Sequence, residues 1–233
     1  MEISISYYTA RGKRQNNEDA VSLLEGSNSL LAVVADGLGG HEAGEVASNH
    51  AVATLNRLLQ AQTPEEDDLI DAIQQANQEI YEMQNAQSHM RTTVAALWLG
   101  DYRTIAANVG DSRCYLINSR DIRQLTVDHS LVQMMVDRGE LQKSQAKSYP
   151  GKNFITRAIG TEPVTNCDIF HRKLQPDDCL LLCSDGLSNL LDDQELLFEV
   201  VHGEDKQDCC LRLLNIAKNR GAPDNVTCVL VQD

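Results

Sequence analysis

Apolar residues in this chain fall into two kinds of pattern. Runs rich in Val, Ile, Leu and Tyr, of the length of strands, occupy residues 3–9, 20–25, 30–35, 93–99, 103–109, 112–118, 166–173, 178–183 and 225–231. Two stretches instead repeat at helical spacing. Over 42–60, Ala43, Ala47, Ala51 and Leu55 recur at i+4 with Val46, Leu58 and Leu59 beside them. A second helix opens at Thr63-Pro64-Glu65-Glu66, where Thr63 can cap, Pro64 suits the first turn and Glu66 completes a capping box; its stripe is Leu69, Ile73, Ala76, Ile80 and Met83. A third helix over about 205–219 turns Cys210, Leu213, Leu214 and Ala217 inward and stops at Gly221. Strands, a helix pair, more strands, then a helix and a strand is an α+β order, which predicts a layered sandwich. Residues 129–163 break the pattern: they are polar, hold short helical pieces such as "SLVQMMVDRGEL" and contain Pro150-Gly151, and they read as an inserted flap.

At 233 residues the chain is expected to form one globular unit. Its longest unbroken apolar runs, Leu30 to Ala35 and Val94 to Leu99, are six residues, far short of a membrane span. Met1-Glu2-Ile3-Ser4 lacks the basic start and apolar stretch of a secretory signal, so the expected location is the cytoplasm, with no membrane partner. Seven cysteines without a Cys-x-x-Cys pair read as reduced core residues. The net charge of -14, from 20 Lys and Arg against 34 Asp and Glu, argues against nucleic acid as a partner, which needs a basic footprint. Acidic groups can solvate a surface or gather around cations, and composition alone leaves both open.

The position of particular carboxylates narrows that choice. "LLAVVADG" ends in Asp36-Gly37, "IAANVGDS" in Asp111 and "CLLLCSDG" in Asp185, while "APDNVTCVLV" begins a strand just after Asp224. Any one of these can be a turn, since Asp-Gly is a common hairpin signal. Four of them flanking buried strands can meet at one edge when the strands pack side by side. Like charges so placed are unfavourable unless a cation lies among them. Carboxylates with a backbone carbonyl are hard oxygen donors, suited to magnesium or manganese rather than zinc. "HEAGE" at 41–45 is not the His-Glu-x-x-His of zinc proteases, and the third glycine of a dinucleotide-binding fingerprint falls on Glu42. "RQNNEDA" at 14–20 adds Arg14 beside Glu18 and Asp19, which is either a polar turn with a surface ion pair or an arginine fork for a phosphate oxygen beside more metal-ordering acids.

These segments, with "VVADGLGGHEAGEVAS" (33–48), "TTVAAL" (92–97), "ANVGDSRCY" (107–115), "TVDHSLV" (126–132), "NFITRAIG" (153–160), "LLLCSDGL" (180–187) and "PDNVT" (223–227), resemble the metal-dependent protein phosphatases of type 2C in their compact bacterial form. The resemblance runs through nearly the whole chain. It implies an α+β, four-layer α-β-β-α sandwich with two central antiparallel sheets, formed by residues 1–233 as one domain with a flap over about 129–163. It implies a serine/threonine phosphatase holding two manganese or magnesium ions and a third, looser one. Asp36 would bridge the pair, Gly37 would offer its carbonyl, and Asp185 and Asp224 would complete it. Glu18 and Asp19 would act largely through metal-bound waters, and Asp111 with Asp185 would hold the third ion. Arg14 matches the phosphate-binding arginine. A water bridging two dications about 3.5–4 Å apart would attack phosphorus in line, with no phosphoenzyme. His41 is a candidate for the acid that protonates the leaving alkoxide, or else only organises the start of the helix. His129 matches a family position for which a structural role is expected. Arg91 stands where the family usually has glycine.

The expected partners are proteins phosphorylated on serine or threonine, with a cognate kinase or its substrates among them. Two other readings stand beside this one: a non-catalytic phosphoprotein-binding module with the same fold, and a Gly-loop nucleotide binder. The retained carboxylates and Arg14 favour catalysis.

Overall fold

A computed structural model describes residues 4–39, 42–60, 65–84, 89–100, 103–203 and 205–232. Two antiparallel sheets lie face to face between helical layers. The first orders β1 (Ser4–Ala10), β11 (Val226–Gln232), β10 (Cys179–Cys183), β7 (Arg113–Ile117) and β8 (Ile122–Gln124). The second orders β2 (Asp19–Glu25), β3 (Ser29–Leu38), β5 (Val94–Gly100), β6 (Thr104–Val109) and β9 (Asp168–Arg172), with the two-residue β4 (Arg91–Thr92) on the end of β3. Helices α1 (Glu42–Leu59) and α2 (Glu66–Met83) cover the second sheet; α5 (Asp185–Ser188), α6 (Asp193–His202) and α7 (Cys209–Asn219) cover the first. The short α3 (Leu131–Asp137) and α4 (Lys143–Ala146) lie within the segment expected to be a flap. Among the described residues no helix is long and apolar enough to cross a membrane.

The unbroken apolar runs follow from this layering, because each central strand is buried on both faces. With a side-chain period of two, Leu30, Ala32 and Val34 of β3 meet Leu180, Leu182, Val229 and Val231 between the sheets. The alternate residues Leu31, Val33 and Ala35 pack under α1 and α2 against Ala47, Ala51, Leu55, Ile73 and Ile80. On the other side Cys183, Cys228 and Leu230 turn toward Cys210, Leu213 and Leu214 of α7. Three apolar layers result, one between the sheets and one under each helical layer.

Nine strands fall where the apolar runs place them. The helical edges differ in detail. Val46 and Met83, expected in apolar stripes, are 43% and 40% exposed. Thr63 and Pro64 lie outside the described residues; the capping box on α2 is formed by Glu65 and Asp68 instead, with Glu66 as the first helical residue. The third expected helix begins at Cys209 rather than 205, with Gly221 past its end at φ +99°.

Antiparallel register brings one set of strand ends together. Asp19 at the start of β2 stands opposite Asp36 near the end of β3. Val94, opening β5, pairs with Val109, closing β6 just before Gly110-Asp111. Cys183, closing β10 before Asp185, pairs with Arg113 on one side and with Cys228, near the start of β11 and four residues after Asp224, on the other. Ala10 at the end of β1 pairs with Val226, so the loop carrying Arg14 leaves from the same edge.

Candidate metal centre

At that edge a cleft of about 200 Å³ is lined by residues that include Arg14, Glu18, Asp36, Gly37, Asp185 and Asp224. Asp19 is buried beneath it. Asp111 is buried in an adjoining, smaller cavity that shares Asp185 as a wall. The structure therefore gathers Arg14 and all seven residues expected as ligands at one end of the sandwich. His41 lies outside the described residues.

The backbone around Asp36 is held from both sides. Asp36 N donates to Thr93 Oγ1 at 2.9 Å, while its carbonyl accepts from Thr93 N at 2.9 Å and Thr92 Oγ1 at 2.8 Å. Thr93 Oγ1 also meets Ser112 Oγ at 2.7 Å, which ties the Asp36 strand to the turn carrying Asp111. Gly37 N donates to the Glu18 carbonyl at 3.1 Å, and a side chain at Gly37 would overlap the carbonyls of Gly44 and Glu18. A side chain at Gly44 would run into the Glu18 carboxylate. Small residues at 37 and 44 thus let β3, the 14–18 loop and α1 close on one another.

Asp19 is supported from the opposite sheet. Ser184 Oγ donates to Asp19 Oδ2 at 2.8 Å and itself accepts from Thr227 N at 3.0 Å. Asn225 fixes the next loop: its side chain accepts from Glu18 N and donates to the carbonyls of Arg11 and Asn16. Arg14 Nη2 donates to Asp224 Oδ2 at 2.7 Å, an exposed pair that contributes little stability but aims the guanidinium along the cleft. Asn189 Nδ2 reaches Asp185 Oδ2 at 3.0 Å.

The electrostatics are those of crowded acids with too few cations. Burial, with the charges of Asp185 and Asp224 behind it, pushes the Asp19 carboxyl up to about 7 against the opposing pull of hydrogen bonds from Thr227 and Ser184. Asp36 keeps some solvent exposure yet sits deep among protein atoms. Its carboxyl is raised well above the usual range by that burial and by the charges of Asp19, Asp185, Asp111 and Asp224. Asp111 is raised likewise by burial and by Asp185. Asp185 is raised by burial and by Asp224, against the opposing pull of a hydrogen bond with Asp36. Asp19 Oδ1 and Asp111 Oδ1 are buried acceptors without a partner among the described residues, an expensive state for a charged oxygen. Among the described residues no three such side chains already close into a ligand cage, as expected of carboxylates that repel one another. Orphaned oxygens, hard oxygen donors and glycines that clear space fit divalent cations of the magnesium or manganese type.

Several supporting residues carried no signal as such in the sequence. Ser184 and Thr227 lie in the quoted motifs, yet nothing local marks them as partners of Asp19. Arg113 grips Asp128 through Nε and Nη2, at 2.9 and 2.6 Å, beside Asp111. Asn153 and Ile155, from the segment expected to be a flap, line the cleft. Arg91 is exposed, its backbone paired with Leu38.

The family model for Protein phosphatase 2C matches residues 8–208. The chain is 38% identical to the serine/threonine phosphatase stp of Listeria monocytogenes, over 97% of this chain and 94% of that protein. Among solved structures, the serine/threonine phosphatase Stp1 from Staphylococcus aureus superposes with a TM-score of 0.94 at 34% identity, covering 100% of this chain and 96% of that one. The catalytic domain of the phosphatase PstP, in complex with two manganese ions, gives a TM-score of 0.85 at 33% identity, over 99% and 97% of the two chains.

Proposed function

The chain belongs to the protein phosphatase 2C family and is a metal-dependent serine/threonine phosphatase, and from that premise we propose how its residues divide the work. Asp36, the Gly37 carbonyl, Asp185 and Asp224 hold two divalent cations, manganese or magnesium. Glu18 and Asp19 order the waters around them, and Asp111 with Asp185 holds a third. When bound, the cations supply a water acidified toward neutral pH and positive charge for the phosphoryl oxygens. Arg14 binds a phosphoryl oxygen from the solvent side of the cleft, with Asp224 as the acceptor that keeps its fork in place. His41, the residue before Glu42 in the sequence, donates a proton to the departing alkoxide in this reading. The observation that carries the assignment is Asp19 facing Asp36 in register, with the Asp19 and Asp111 oxygens buried and partnerless.

The domain is taken as residues 1–233, with 129–163 as a flap beside the cleft. Its substrates are proteins phosphorylated on serine or threonine, supplied by an opposing kinase. All seven cysteines are free thiols and six are buried, which fits a reducing compartment, and we place the enzyme in the cytoplasm.

The experiment is phosphate release from a phosphothreonine peptide with manganese, then with EDTA, beside Asp36→Asn. The expected result is turnover that needs manganese and is lost in the variant while its circular dichroism is unchanged. Full activity of Asp36→Asn would remove Asp36 from the site.

A further inference from the structure

The surface beside Glu18 continues past the catalytic cleft. Ser48 Oγ donates to the Glu18 carbonyl at 2.6 Å, and Gly44 lies against the Glu18 carboxylate, so the 44–48 row of α1 is the wall behind the cleft. One step around that helix, the rows Glu45–Asn49 and Val46–His50 face Asn16 across an open groove of about 630 Å³. Asn16 lies midway between Arg14 and Glu18, and its carbonyl is held by Asn225 Nδ2 at 2.9 Å. Groove and cleft therefore share one fixed loop.

The groups presented to this groove have one chemical character. Glu45 is exposed, and its carboxylate has no partner among the described residues. Asn49 spends its Nδ2 on the Glu45 carbonyl at 2.8 Å, leaving its Oδ1 as an acceptor. Val46, at 43% exposure, supplies an aliphatic floor. The nearby basic side chains are already engaged: His50 Nε2 and Arg57 Nη2 each lie 2.8 Å from Glu79. An acceptor rim over an aliphatic floor complements a side chain with an apolar stem and a cationic tip. We propose that this groove receives an arginine or lysine side chain flanking the phosphorylated residue of the substrate, an inference that rests on the phosphatase reading of the adjoining cleft. The net charge of -14 favours approach of such basic segments.

The test uses phosphothreonine peptides in which each of the four positions on either side is Arg, Ala or Glu, assayed with manganese beside p-nitrophenyl phosphate. At one flanking position the Arg peptide is expected to exceed the Ala peptide in kcat/KM by roughly two- to fivefold, the size an exposed ion pair supports, with the Glu peptide below both. Glu45→Gln should erase that preference and Glu45→Arg should reverse it, with hydrolysis of p-nitrophenyl phosphate unchanged. Equal rates for all three peptides at every position, or a preference that survives in Glu45→Arg, would overturn the groove assignment. Failure of the unaltered protein to hydrolyse p-nitrophenyl phosphate would overturn the phosphatase reading and the inference with it.

Discussion

Asp19 and Asp36 face each other across β2 and β3, a pairing that costs stability between like charges and that a cation offsets. Arg14 is a cation exposed at the rim and paired with Asp224. On the proposed contact with a phosphoryl oxygen, Arg14→Ala should raise KM for a phosphopeptide about tenfold or more while lowering kcat less; an unchanged KM in steady-state assays would end its phosphate role. His129 acts one layer further out. Its Nδ1 accepts from Gly110 N and its own N–H donates to the Gly110 carbonyl, both at 2.9 Å, so it clasps the turn that aims Asp111. Burial lowers its pKa, which keeps Nδ1 free to accept. His129→Ala should raise the manganese needed for half-maximal turnover by about tenfold, the scale of lost outer support at metal sites, whereas His129→Asn, with an amide oxygen in reach of Gly110, should recover part of it. Manganese titrations of both variants that match the unaltered protein's would show that the clasp does not orient Asp111.

At the scale of elements, the site depends on turns that only small residues permit. Gly186, at the second position of α5, sits against the Asn225 carbonyl, and a methyl group there would overlap it. Gly186→Ala should therefore push α5 from the 224–225 loop, costing about 1–3 kcal/mol in urea unfolding and separating Asp185 from Asp224. Wild-type stability with full activity would show that this turn relaxes freely. The segment carrying α3 and α4 is braced by bonds of its own and tied to the body through Lys147. Leu131 N donates to the Phe154 carbonyl, Thr156 N to the His129 carbonyl, and Lys147 Nζ to the Leu191 carbonyl. The first two bonds fix the strip holding Asn153 and Ile155 at the cleft, and His129 joins that strip to Asp111.

For the whole molecule, the crowded acids set a pH dependence of definite sign. The Asp19 carboxyl rises from 3.8 to about 7 on folding, and Asp36 and Asp111 shift the same way. A raised carboxyl favours the folded state at low pH and loses that contribution as pH climbs through the folded value. Glu79 and Glu195, held down to about 2, act with the opposite sign, but only below about 4.5. In EDTA, Tm should therefore fall between pH 5 and 8, and manganese should raise it by an amount that grows over the same window. A flat profile in EDTA by calorimetry would contradict the carboxylate crowding. Much of this molecule is legible along the chain. Runs such as Leu30 to Ala35 read as buried strands from local hydrophobicity and period, and Asp36, Asp111, Asp185 and Asp224 are legible as carboxylates flanking such strands that can meet at one edge. What only the tertiary structure decided is long-range. The two-residue β4 is too short to show a period, and α6 buries only Leu196 and Val200. The bond from Ser184 to Asp19 joins residues 165 apart, and Val46 faces outward because Asn16 lies opposite rather than the core. A local pattern states which residues avoid water; which partners they find depends on how the sheets stack, and no window of sequence contains that.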